Sequence, residues 1–293
     1  MKLLTLSMIL VFSVTIEAQI VNVSRDQNSN FVINYNKPNT DSIYTGVFVP
    51  GDLVEASIKV SFNKISSGLY KYSYLISNLT SSPVSLHKVE IESNSDKTRA
   101  STIKNWYIRF SKEENIVKAT YVNNRPPGII PGGNEDFIMS SGGLPEVGII
   151  RISNLSGSSF PSEIDEYPHE INKVIDSLRA EHSYRIYQTI VASEPKVNKD
   201  LFSLIDELNS NLFHSCQELG WITNQGICNS LEVKLQNTKR HLEDDKPKQA
   251  AKTLNAFLNE VEAQKDKALS SEAYALLYFN GQYLLEKLKA NED

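Results

Sequence analysis

The sequence predicts two structural classes in one chain: an N-terminal antiparallel β-sandwich followed by a C-terminal antiparallel helical bundle. Three observations carry this. Short segments rich in Val, Ile, Tyr and Thr recur from Phe31 to Ile152, several of them alternating apolar and polar side chains with the period of two that a half-buried strand requires. No helical pattern interrupts them before residue 160, which excludes a parallel α/β sheet, whose strands need crossover helices. Past about residue 198 the apolar period becomes 3.6 and stays so to the end.

The chain opens on MKLLTLSMILVFSVTIEA. One lysine precedes an apolar run from Leu3 to Val14, and Ala18 offers a small residue for cleavage, the pattern of an export signal over residues 1–18. The run is too short to span a bilayer comfortably, so an uncleaved anchor is the weaker alternative. No cysteine follows it, which argues against a lipoprotein anchor. The expectation is a mature chain from Gln19, secreted or periplasmic and associated with the cell surface, with no transmembrane segment after signal removal.

Residues 19–194 are expected to form the sandwich. Phe31–Tyr35 comes first, Val54–Phe62 alternates almost cleanly, and Leu69–Asn78 does so again with Leu69 out of phase at its edge. Val84–Ile91, Trp106–Phe110, Val117–Val122, Glu135–Met139 and Val147–Ile152 follow. Ile171, Val174, Ile175 and Leu178 are spaced as a short amphipathic helix. Ser183–Ala192 then reads as the closing strand. Between strands lie turns: Val49-Pro50-Gly51-Asp52, Ser77–Ser82, and Arg125-Pro126-Pro127-Gly128-Ile129-Ile130-Pro131-Gly132-Gly133 with Ser141-Gly142-Gly143-Leu144-Pro145. Proline fixes φ and glycine supplies positive φ, so turn chemistry explains these segments better than a phosphate cradle, for which no GxxxxGK[ST] exists. On these turns the region resembles immunoglobulin-like or fibronectin-type sandwiches of exported bacterial proteins.

Glu194-Pro195-Lys196 is the expected hinge, because the residue before proline disfavours helix. The helical domain follows over residues 198–293. Its first helix carries the stripe Leu201, Leu204, Ile205, Leu208, Leu212, Cys216 and Leu219, with Asn198 as cap. The second holds Ile227, Leu231, Leu235, Thr238 and Leu242; the third Ala250, Leu254, Phe257, Leu258 and Val261; the fourth Ala273, Leu277, Gly281, Leu284 and Leu288. Asp245 before Lys246-Pro247, and Ser270 before Ser271-Glu272, supply start signals for the last two. Gly281 admits close approach of a neighbouring helix.

The residues Gly220-Trp221-Ile222-Thr223, Gly226, Ser230-Leu231, Lys234-Leu235, Ala250, Leu254, Ala256-Phe257, Val261, Leu269-Ser270 and Ala273 resemble the FIMAH domain, a compact helical module at the C-terminus of many secreted bacterial proteins. The chain departs from it at Asp244-Asp245-Lys246 and in the aromatic content of the last helix. The resemblance implies an accessory or interaction module and brings no catalytic residues with it.

A net charge of −5, with 30 basic residues dispersed along the chain, argues against nucleic acid as a partner, since that needs a basic field. The five histidines form no HExxH or HxH pattern, and the neighbours His169-Glu170 and Glu181-His182 read as solvent-exposed pairs in preference to metal ligands. Glu135-Asp136 and Glu163, Asp165 and Glu166 are acids that glycoside chemistry could use only if fixed across a cleft, and a solvated loop is the simpler account. Glu243-Asp244-Asp245 lacks the alternating oxygen ligands of a calcium loop and suits a helix end. No cofactor or metal is expected. The sequons at Asn22, Asn78 and Asn154 are incidental if the source is bacterial.

Two expectations concern named residues. Cys216 and Cys228, the chain's two cysteines, flank a corner at Gly220–Thr223 and are expected to form a disulfide; the alternative is two buried thiols. On the last helix Leu276, Phe279 and Tyr283 lie away from the buried stripe, so they either pack on the sandwich or dock a partner. Together these features read as an exported, non-catalytic binding protein whose partner is an unknown protein or glycan at the cell envelope. The alternatives are an extracellular hydrolase and a scaffolding subunit of an envelope assembly.

Overall fold

The computed structural model describes residues 20–36, 42–66, 68–95, 97–122, 128–160, 169–194 and 198–290. In chain order the strands are β1 (Ile20–Arg25), β2 (Phe31–Asn36), β3 (Ile43–Val49), β4 (Ala56–Ser66), β5 (Leu69–Asn78), β6 (Lys88–Asn94) and β7 (Arg99–Ala100). They continue with β8 (Trp106–Ser111), β9 (Ile116–Tyr121), β10 (Asn134–Ser141), β11 (Leu144–Ser153), β12 (Gly157–Ser159) and β13 (Arg185–Ser193). The helices are α1 (His169–Glu181), α2 (Leu201–Phe213), α3 (Gln225–Glu243), α4 (Pro247–Gln264) and α5 (Ser271–Ala290).

The chain divides into two compact units, and not along the line expected at Glu194–Asn198. One unit is the chain to Gly51 together with Leu155–Ser183; the other is Asp52–Asn154 together with everything from Tyr184. In the first, an antiparallel sheet in the order β1-β2-β3-β12 carries α1. Ile33, Tyr35 and Phe48 from the sheet meet Ile171 and Ile175 from the helix in a small core of their own. The tight β1–β2 turn is held by Asp26, whose carboxylate accepts from the backbone N–H of Asn28 and Asn30, both at 2.8 Å. The side chain of Asn30 adds a third bond, and together these hold the Asp26 carboxyl below its ordinary range. The expected helix at 171–178 is therefore present, but it completes this unit and not the sandwich.

The second unit contains the sandwich. One sheet runs β4-β5-β10-β7 and the other β11-β13-β6-β9-β8. Pairing is antiparallel except where β13 meets β6 through Ala192–Ser93 and Ser193–Asn94. Alternation puts Val60, Phe62, Tyr72, Tyr74 and Ile76 against Val89, Ile91, Val117, Ile150 and Ile190, all buried. Between the sheets the Trp106 ring meets the Phe137 ring edge-on at 4.9 Å. At the β10–β11 turn Gly143 is required, since a Cβ there would lie 2.7 Å from the Ser193 carbonyl oxygen and 2.8 Å from its nitrogen.

Two tyrosines tie this core together with hydrogen bonds. Tyr72 donates to the Gly143 carbonyl at 2.8 Å and Tyr74 to the Ile190 carbonyl at 3.0 Å. Burial raises both phenols well above their usual value. A raised folded-state pKa means that the stability they contribute is fully present below the unfolded value, about pH 10, and is lost as pH climbs toward the folded value. The chain is thus expected to lose stability steeply in alkali. Tyr74→Phe should be less stable by about 1–2 kcal/mol near neutrality, with the Ile190 carbonyl left unpaired, yet should lose less than the parent between about pH 9 and pH 11. Urea titrations at both pH values read this; equal alkaline losses in the two proteins would contradict it.

The helices follow from local signals. Asp200, not Asn198, caps α2: its carboxylate accepts from the Ser203 N–H at 2.8 Å, because it stands the required three residues before that amide. After Phe213 the backbone widens to a π turn over His214–Glu218. Asn224 caps α3 by accepting from the Gly226 and Ile227 amides. Asp245, with φ +53°, makes the turn between α3 and α4, and Lys246 takes the cap position ahead of Pro247 with no side-chain capping bond to the helix. Ser270 caps α5 through the Ala273 amide at 3.2 Å.

Helix α5 is the centre of this unit. Ala273, Leu277, Leu284 and Leu288 face the other helices, and Gly281 lets Leu258, Phe257 and Leu208 come close: a Cβ there would stand 2.8 Å from the Leu258 methyl. Ala275, Leu276, Phe279 and Leu285 are buried as well, so the helix is apolar around most of its circumference, as a helix enclosed on several sides must be. One hydrophobic core runs from the sandwich into the bundle without a break. The antiparallel β-sandwich and the helical bundle are both present, but they share a core. The boundary expected at residue 194 falls inside this unit, since a period change marks a change of element type and not an end of packing.

Candidate functional site

The Leu276, Phe279 and Tyr283 face is not a docking surface. Leu276 is fully buried and Phe279 is 9% exposed. The Phe279 ring meets Phe62 of β4 edge-on at 4.4 Å and Tyr70 of β5 at 6.1 Å. Next to it the Asn280 amide donates to the Pro145 carbonyl at 2.8 Å and to the Leu276 carbonyl at 2.7 Å, fastening α5 to β11. Tyr283 is half-buried at the rim of a crevice of about 40 Å³, shared with Pro145, Glu146, Glu194, Glu207 and Asn211. The face covers the sandwich, which corrects the docking reading. Opposite apolar stripes on one helix mean two neighbours, and here the second is a pair of strands.

Cys216 and Cys228 are bonded, closing a loop of sequence separation 12. The corner between them is shaped by the π turn, by Gly220 at φ +64°, and by the Ile222 amide donating to the Ser215 carbonyl at 3.1 Å. Among the described residues the acidic and histidine pairs do not converge. Asp136 accepts from Ser73 at 2.5 Å on the sheet, and Asp244 pairs with Lys246 at 3.0 Å at the end of α3. His182 lies on Phe31 with ring centroids 4.9 Å apart, while His169 is exposed at the start of α1. Glu163, Asp165, Glu166 and part of the Pro-Gly loop, residues 123–127, lie outside the described residues, as does Pro195. Among the described residues no three His, Cys, Asp or Glu side chains gather as metal ligands.

The feature the sequence does not disclose is a groove between α4 and α5. It is open to solvent and its hollow measures about 460 Å³, within the range of roughly 300–1,000 Å³ typical of ligand sites. Asn255, Leu258, Asn259 and Glu262 line it from α4 at positions i, i+3, i+4 and i+7, one face of the helix. Tyr278, Gln282, Leu285, Glu286 and Lys289 line it from α5 in the same way, and Lys64 reaches in from the end of β4. Leu258 and Leu285 form the floor and are buried. Around the rim Glu262 accepts from the Tyr274 hydroxyl at 2.6 Å and Glu286 faces Lys64 at 3.5 Å. Burial, with the Glu262 charge beside them, pushes the Tyr274 and Tyr278 phenols up, so both are neutral in ordinary conditions. The Tyr278 ring is stacked on Tyr274 with centroids 5.1 Å apart and stands edge-on to Phe279 at 5.3 Å. In sequence these side chains read as the solvated faces of two helices; only their helical register, combined with the packing of α4 on α5, puts them round one hollow.

No curated protein matches the chain. A crystal structure of an uncharacterized protein from Nocardia farcinica, described as revealing an immunoglobulin-like fold, is similar over 48% of this chain and 98% of that one at 14% identity and a TM-score of 0.27; the sandwich assignment rests on the strand pairing instead. No described helix is long and apolar enough to cross a membrane. Residues 209–286, from the second half of α2 through most of α5, match the FIMAH domain, and that match and the disulfide are compatible with an extracellular or envelope protein.

Proposed function

We propose that this chain is an exported, non-catalytic interaction protein acting at the cell surface or in the periplasm. The observation that carries the reading is the α4–α5 groove, whose size suits a ligand and whose groups suit holding one. Among the described residues its two carboxylates are engaged by Tyr274 and Lys64, which supports a role in holding a ligand. Export is supported by the apolar run Leu3–Val14 with Ala18, and by a disulfide of the kind that persists in oxidising compartments. A hydrolase reading would draw on the three glutamates of the other crevice, but about 40 Å³ admits water and not a substrate unit.

The test combines location, turnover and binding. Cell fractionation should find the chain, shortened to begin near Gln19, outside the cytoplasm. A screen against glycans, peptides and esters should give no turnover, and the purified chain should bind isolated cell envelopes saturably. Cytoplasmic retention with both thiols reduced, or turnover of any substrate in the screen, defeats the proposal. Recovery in a fixed ratio with one large partner would instead support a scaffolding subunit.

A further inference from the structure

We infer that the groove between α4 and α5 binds a neutral oligosaccharide. The inference rests on the interaction reading above and names the ligand class. Charge is the first argument: among the described residues of the lining, Glu262 and Glu286 are matched in number by Lys64 and Lys289, which favours a neutral ligand over an ionic one. Hydrogen-bonding capacity is the second. Asn259 and Gln282 have no hydrogen-bond partner among the described residues, and Asn255 uses only its N–H, donating to the Ala251 carbonyl at 2.8 Å and leaving its Oδ1 as an acceptor. Carboxamides both donate and accept, which matches the paired donor and acceptor character of sugar hydroxyls.

Helix energetics point the same way. Asparagine in an exposed helix interior is less favourable than alanine by several tenths of a kcal/mol, and α4 has it twice on the groove side, at Asn255 and Asn259. Neither side chain belongs to the apolar packing of α4. Departures from local preference without a packing gain are expected at functional positions. Tyr278 supplies the remaining feature. Its ring is immobilised by the stack on Tyr274 and the edge contact with Phe279, so it offers a rigid aromatic surface to the C–H groups of a sugar ring at little entropic cost.

Shape decides between a compact and an extended ligand. From Asn255 to Glu262 the α4 wall runs about 10 Å, and from Tyr278 to Lys289 the α5 wall runs about 16 Å, at ~1.5 Å per residue. A short linear oligosaccharide fits that outline. A peptide fits less well, because peptide grooves offer a free strand edge or open apolar pockets. Here both walls are helices, and Leu258 and Leu285, the aliphatic groups of the lining, are 6% and 9% exposed.

The experiment uses the full chain and a panel of neutral hexasaccharides (cello-, xylo-, laminari-, N-acetylchito- and malto-oligosaccharides), with polygalacturonate and a heparin fragment as charged controls and isolated cell envelopes alongside. Titration calorimetry should give saturable binding to at least one neutral member. The double variant Asn259→Ala with Gln282→Ala should weaken it by about ten-fold or more with an unchanged melting temperature, since both side chains line the groove and hold no bond of their own. Tyr278→Phe should retain most of the affinity that Tyr278→Ala loses. Binding to none of the neutral sugars, binding confined to the charged controls, or equal affinity in the double variant overturns the inference. If the double variant still binds envelopes like the parent, the oligosaccharide groove falls while the interaction protein stands; if neither protein binds envelopes, the broader reading falls with it.

Discussion

Replacing Phe279 by alanine should lower the stability of the whole chain by about 3–5 kcal/mol, the range for deleting a buried phenylalanine. The ring is 9% exposed and sits among Phe62, Tyr70, Tyr274 and Tyr278, with centroid distances from 4.4 Å to 6.2 Å. Aromatic pairs contribute roughly 0.5–1.5 kcal/mol each beyond their buried area, and little of that can be recovered by collapse because β4 and β5 are fixed by their own ladder. Alanine is the better helix former, but only by several tenths of a kcal/mol, too little to offset the cavity. Urea unfolding followed by far-ultraviolet dichroism and by intrinsic fluorescence should show both signals shifting together, because helix and strands share one core. A loss below about 1 kcal/mol would mean that α5 is not seated on the sandwich. Separate transitions would mean that the bundle and the sandwich unfold as independent domains.

What the sequence discloses here is what short-range physics governs. The stripes of α3, α4 and α5, the Ser270 cap and the Pro247 start all arise within a few turns of one helix, and each is where its spacing puts it. Spacing alone does not separate Asp200 from Asn198 as the α2 cap, because both residue types cap well and they stand two positions apart; only the bond to the Ser203 amide decides. Strand partners are another matter. β3 pairs with β12 across more than a hundred residues, and an alternating segment looks the same whichever sheet it joins, so the separate first unit is invisible in the sequence. The second apolar side of α5 is visible, but a stripe does not name what lies against it; Phe62 and Phe279 stand in opposite halves of the chain and meet only through the fold. The groove is the extreme case, since Asn259 and Gln282 carry a signal only once α4 and α5 are laid side by side.

Removing the disulfide with Cys216→Ser and Cys228→Ser together should cost about 3 kcal/mol, the chain-entropy figure for a loop of this size, plus whatever the buried Cys228 site loses on gaining a hydroxyl. The bridge spans the π turn, Gly220 and the start of α3, a corner of the bundle where regular α-helical bonding is interrupted. Its loss frees that corner in the unfolded chain, while the folded corner retains the Asn224 cap and the Ile222–Ser215 bond. The expected outcome is therefore a stably folded but weaker protein, with full helical dichroism and a lower urea midpoint at unchanged slope. Reduction of the parent by dithiothreitol should bring its midpoint down toward that of the double variant, and alkylation with mass spectrometry should then count two thiols where the oxidised protein shows none. A parent that is indifferent to reductant would leave the bridge without a structural role. A double variant that fails to fold would show that the corner depends on the covalent link and not on the cap.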